Sequence, residues 1–166
     1  MPRLVTAVAA LAALAACGGG GTPSELGIPP KVCSTEAVAA TVGEEMEPGS
    51  DCVGCHAKGG APALLLGGTV MAALHDDTNC RGVAGATVRI TGGDGQKLEL
   101  TTNTVGNFFV LAGAGAPKLV TPFAAEVEVG GKTAKMLTAQ SNTNCMACHT
   151  APGAMLAIGR IVPPAP

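Results

Sequence analysis

Through the middle of the chain, hydrophobic and polar positions alternate in short runs. In "GATVRITGGDGQKLELTTNTVGNFFVLAG", Val88 and Ile90 share one face, as do Leu98 and Leu100, while "GGDG" and "TVGN" are turn sequences. Farther on, Phe123, Ala125, Val127 and Val129 point one way and Glu126 and Glu128 the other, the pattern of a strand with one wet side. Gly130 and Gly131 predict a tight hairpin turn into a strand over Lys132 to Leu137. With "GGTVMAAL", from Gly67, as the first strand, the pattern gives about six strands within residues 67–138 and predicts a small antiparallel β-sandwich. The flanking segments, 33–66 and 139–166, read as largely irregular with single-turn helices, so the fold class is mainly β.

The N-terminus has a different character. Residues 1–16 place one Arg before an apolar run too short for a stable membrane span, which is the layout of an export signal. Residues 17–32 are rich in Gly and Pro and predict a flexible tether. The apolar run ends in "LAAC", Leu14 to Cys17, which resembles the lipobox of bacterial lipoproteins. That resemblance implies cleavage before Cys17 and acylation of Cys17. The chain would then be extracytoplasmic and held by lipid at the periplasm, outer membrane or cell surface of a bacterium. The alternative is an ordinary signal peptide whose cleavage site happens to contain a Cys.

Composition sharpens the picture of the core. Three Phe are the only aromatic residues, with no Trp or Tyr, so small aliphatic side chains must build the interior. Such a core is thin unless something large is added to it, and a bound prosthetic group would be such an addition. A formal charge of −2 provides no basic patch and gives no reason to propose nucleic acid as a partner.

The chemistry lies in two near-identical stretches, "DCVGCHAKGG" from Asp51 and "NCMACHTAPG" from Asn144. Both contain Cys-x-x-Cys-His, the attachment sequence of c-type haem. Two thiols one helical turn apart lie on one face, and each can add to a haem vinyl group. The following His projects toward the iron as the proximal ligand. About 0.005 matches are expected by chance in a chain of this composition, so coincidence does not account for two. Structural zinc pairs are closer in sequence and do not require a His after each pair. A thioredoxin-like redox pair would need a βαβ setting, and two four-residue disulfide loops would be strained. The expectation is therefore two covalently bound haem c groups, one on Cys52, Cys55 and His56 and the other on Cys145, Cys148 and His149. With Cys17 assigned to lipid and four Cys to the motifs, two of the seven remain, Cys33 and Cys80, which in an exported protein predict one disulfide, with two free buried thiols as the alternative.

Three His in total leave only His75 for a sixth iron ligand, so at most one haem is bis-histidine. For the other, Met46 ranks above Met155, because Pro48 and Gly49 can turn the chain sharply toward the first motif. The bland alternatives are a surface His75 and methionines that fill the core.

"GVAGATVRITGGDG" together with "TTNTVGNFFV" resembles the carboxypeptidase regulatory-like domain, a transthyretin-like sandwich, over most of Gly68 to Leu137. The whole is similar to a diheme c-type cytochrome with a sandwich between its two haem segments. Each segment is too short to enclose a haem alone and must pack it against the sandwich or the other haem. The resemblance implies an electron carrier rather than an enzyme. Its partners would be redox proteins, other cytochromes or copies of itself, and it would meet the membrane through its lipid. The alternatives are a diheme peroxidase-like enzyme with one open haem, and a surface assembly or binding module carrying haems.

Overall fold

The computed structural model of the chain describes residues 43–59, 61–76 and 81–165. Six strands form two antiparallel sheets, with one short helix and one 3-10 turn beside them. In chain order these are α1 (Cys52–Ala57), β1 (Leu64–Thr69), β2 (Thr87–Thr91), β3 (Lys97–Thr101), β4 (Asn107–Leu111), β5 (Ala124–Val129), β6 (Lys132–Lys135) and a 3-10 turn over Cys145–Ala147. The mainly β fold expected from the alternation is what forms. The first strand begins at Leu64 rather than Gly67, and the last ends at Lys135 rather than Leu137.

The four-stranded sheet runs β3-β2-β5-β6. Its register sets Val88 opposite Leu100 and Val127, and Ile90 opposite Leu98 and Ala125, so the apolar positions of three strands fall on one face. The other face is wet. There Arg89 reaches Glu99 at 2.8 Å and Glu128 at 2.5 Å, while Lys135 meets Glu126 at 3.1 Å. Val129 pairs with Lys132 across a two-residue loop in which Gly130 (φ 59°) and Gly131 (φ 78°) both take the left-handed conformation that such a turn needs.

β1 and β4 form the second sheet, a two-stranded ribbon with an irregularity between Leu64 and Leu66. Leu66, Val70 and Phe108 pack from this side against Ala86, Val88, Ile90, Phe123 and Val127. The two layers are unequal: two strands cannot cover the inner face of four. The edge of β1 is extended by the chain's end, with Gly67 bridged to Asn144 and Val70 to Ile161, both in the parallel sense. Met71 N–H donates to Ile161 O at 2.7 Å, so the C-terminal segment is part of the packed structure.

At the far end of the ribbon a buried polar cluster pins the segment that leads into α1. Gly49 N–H donates to Thr69 Oγ1 at 2.9 Å, and Thr69 Oγ1 donates to Asn107 Oδ1 at 2.8 Å. Asn107 Nδ2 donates to Met46 O at 2.9 Å and to Glu44 O at 3.2 Å. Among the described residues no helix is long and apolar enough to cross a membrane.

Candidate functional site

Both Cys-x-x-Cys-His segments come to β1. Asp51 caps α1, accepting from Gly54 N–H through Oδ1 at 2.8 Å, an arrangement that favours Asp at this position. The helix rests on β1 with the Cys52 β-carbon 3.5 Å from where a β-carbon at Gly67 would lie. The second segment enters along the edge of the same strand, with Gly67 N–H donating to Thr143 O at 3.4 Å. It then turns so that the Cys145 β-carbon would be 2.9 Å, and Phe108 Cζ 2.8 Å, from a β-carbon at Gly68. No side chain fits there without displacing one of them.

Successive residues of a strand face opposite sides of the sheet. Gly68, with Phe108 as its neighbour, is on the core side, and Gly67, with Phe109, is on the outer side. Cys145 therefore lies on the core face of β1 and Cys52 on the outer face, separated by the backbone of two glycines. The residues preceding the two cysteines, 93 positions apart, touch directly: Asn144 Nδ2 donates to Asp51 Oδ1 at 2.6 Å, the same oxygen that caps α1. Asn144 Oδ1 is left buried without a hydrogen-bond partner, which ordinarily costs on the order of 1–3 kcal/mol. The contact is kept in spite of that cost.

Burial pushes the Cys52 thiol up to about 11, with its own backbone lowering it and Asp51 raising it by smaller amounts. Burial likewise pushes Cys145 up to about 12, and proximity to Cys52 adds to the rise. Each thiol points back to the carbonyl two residues earlier, Cys52 to Ser50 O at 3.4 Å and Cys145 to Thr143 O at 3.9 Å. Cys52, Cys145 and Cys148 are free, whereas Cys55 is disulfide-bonded. Cys17, Cys33 and Cys80 lie outside the described residues, and so does everything expected of the export signal, tether, lipid and Cys33–Cys80 bridge.

All three imidazoles are held in the same way. His56 Nδ1 meets Pro62 O at 2.6 Å, His149 Nδ1 meets Gly159 O at 3.0 Å, and His75 Nδ1 meets Ala151 O at 2.9 Å. A carbonyl accepts, so each Nδ1 carries a proton, and Nε2 is the nitrogen that the neutral ring would offer to a metal. His75 belongs to the neighbourhood of the second motif, since Leu74 O also accepts from Arg160 N–H at 3.0 Å.

An apolar cavity of about 290 Å³ opens where the inner face of the larger sheet is left uncovered. Cys145, Cys148 and His149 line it on one side, and Val127, Ala125 and Met136 on the other. Leu137, Met155, Leu156 and Ile158 also line it and are 72–100% exposed. Met155 (φ 49°) and Leu156 (φ 73°) both hold a left-handed backbone that is costly for side-chain-bearing residues, and Met155 Sδ is 3.8 Å from Cys148 Sγ. Met46 lies elsewhere: its carbonyl is tied to Asn107, at the Thr69 end of β1, whereas His56 is tied to Pro62, before the Leu64 end. Among the described residues, no three His, Cys, Asp or Glu side chains converge on one point as a bare metal ion would require.

Pattern reading did not single out Gly67, Gly68, Asp51 or Asn144. Only the last pair had a local signal, an Asx residue immediately before a helical turn, and of the two only Asp51 caps with its side chain. Comparison with protein-family models, with curated proteins and with solved structures returned no match.

Proposed function

We propose that the chain is an extracytoplasmic diheme c-type cytochrome that carries electrons. The observation that supports this best is the cavity at the second motif: two thiols one turn apart and an imidazole with Nε2 available line an apolar space that the fold does not fill. A covalently held haem supplies a one-electron ferrous–ferric couple.

The chain's own residues do the rest. Cys145 and Cys148 would hold one group by adding their thiols across its two vinyl groups, and Cys52 and Cys55 the other, once a dithiol reductant had returned the Cys55 disulfide to two thiols. Gly159 O and Pro62 O hold His149 and His56 through Nδ1, which would leave Nε2 of each to ligate the iron. An apolar lining of this kind would favour the less charged ferrous form of a haem bound at the second site. His75, held through Nδ1 by Ala151 O, would offer Nε2 as a further iron ligand. Met155, in the cavity and against Cys148, is better placed than Met46 to serve the second site. Acylated Cys17 would confine the carrier to a membrane surface, raising its effective concentration near membrane-bound redox partners.

Intact mass of the mature protein should show two haem additions that survive acid and organic extraction. A mass without them, or with zinc in their place, overturns the reading. Carbon monoxide binding to the reduced protein separates a carrier with two closed irons from an enzyme with one open iron.

A further inference from the structure

The two Cys-x-x-Cys-His segments differ in the state of their sulfurs. Cys145 and Cys148 are both free thiols, whereas in the first segment Cys52 is free and Cys55 is disulfide-bonded. Cys55 is therefore bonded neither to Cys52, its neighbour on α1, nor to either cysteine of the second motif. Its partner is one of the three cysteines outside the described residues, Cys17, Cys33 or Cys80. With Cys17 taken by lipid, the partner is Cys33 or Cys80, and either bond excludes one between Cys33 and Cys80. In this state the first motif does not offer the two thiols that covalent haem requires, and only the second motif fits that group.

We infer that the first motif is a thiol–disulfide switch: a bond from Cys55 to Cys33 or Cys80 closes it, and a dithiol reductant opens it to a Cys52/Cys55 dithiol. This goes beyond the diheme reading and does not depend on it. Cys52, although one turn from Cys55, is not placed to open the bond itself. It packs against Gly67 of β1, and its thiol donates to Ser50 O at 3.4 Å. Disulfide exchange needs a thiolate, and burial keeps this sulfur protonated. The attack must come from outside, and α1 is open to it, since the helix has no buried residue. One sulfur of the dithiol attacks the disulfide and forms a mixed disulfide, and its second sulfur then displaces the protein's. The dithiol loses two electrons and becomes a disulfide, and its two protons end on Cys55 and the partner cysteine.

Full-length chain exported to an oxidising compartment is denatured in N-ethylmaleimide and mapped by peptide mass, before and after the folded protein is treated with dithiothreitol. Before treatment, Cys52 should carry the label and Cys55 should be found linked to Cys33 or Cys80. After it, Cys52 and Cys55 should both be labelled. Cys52→Ser should leave the linkage in place and the rate of its reduction within about twofold of wild type. Reduction slowed by about tenfold would make Cys52 the attacking sulfur and overturn the switch as drawn. A Cys52–Cys55 bond, a link from Cys55 to Cys17, or a Cys55 labelled before treatment also overturns it. Cys55 joined to haem in the exported chain overturns the switch and leaves the diheme reading standing. A Cys55 disulfide in a chain with no haem on Cys145 and Cys148 does the reverse.

Discussion

The first and second Cys-x-x-Cys-His segments are near copies in sequence but sit in opposite surroundings. The second is built into the sandwich. Cys145 packs against the core, Met146 is buried, and the motif faces an apolar cavity rimmed by exposed Leu137, Leu156 and Ile158. The first is a six-residue helix with no buried residue, laid on the outer face of a ribbon that is already complete behind it. On the diheme reading, the five-residue motif specifies what is attached, while the layer beneath it decides what the attached group would do for the protein. At the second site the group would stand in for strands that the smaller sheet lacks. At the first it would cover a finished surface.

The sharpest way to break this contrast is to remove one attachment at a time. Cys145→Ala with Cys148→Ala should lower stability by roughly 3–5 kcal/mol in urea unfolding, because an apolar cavity is left open. The corresponding double replacement at Cys52 and Cys55 should cost clearly less. Equal losses would mean the second group is not part of the core. Gly68→Ala comes next: its β-carbon meets Phe108 and Cys145 inside 3 Å, and overpacking of this kind costs about 1–3 kcal/mol. Gly67→Ala finds its neighbours at 3.4–3.6 Å, ordinary contact distances, and should be milder on the same assay.

A redox titration should resolve two steps, the higher belonging to the drier second site, with a separation on the order of 100 mV. His75→Met should raise only one of them, and unmoved midpoints would make His75 a surface residue. The thiols allow a pH test. In haem-free chain Cys52 and Cys145 hold their protons up to about 11 and about 12, whereas in the unfolded chain they release them near 9.0. Their contribution is complete below pH 9 and is lost as pH rises through 11 and 12. Alkaline unfolding of the haem-free chain should therefore steepen above pH 9. The holoprotein, whose thioethers do not titrate, should lack that slope. The smallest effect is expected on the wet face, where Arg89→Ala removes an exposed ion network and should leave the unfolding midpoint almost unchanged.

Alternation of period two, read with Gly130–Gly131 and the "GGDG" turn, was sufficient to predict the strands, because side-chain direction along a strand is a local property. The repeated motif was equally legible, since thiol spacing on one turn is also local. That aliphatic side chains would build most of the core was legible from a chain with three Phe and no other aromatic residue. Which face of β1 each motif occupies was not legible. That depends on Gly67 and Gly68 admitting Cys52 and Cys145 from opposite sides, and on a hydrogen bond between Asp51 and Asn144 that spans 93 residues. The same limit explains Met46, placed near the first motif by sequence distance but tied by its backbone to Asn107 at the Thr69 end of β1. Sequence alone determined the strands and the spacing of the two Cys-x-x-Cys-His motifs, both set within a few residues. Only the tertiary structure decided that one motif faces a cavity and the other the outer surface, because two strands laid over four leave a gap whose position no local pattern encodes.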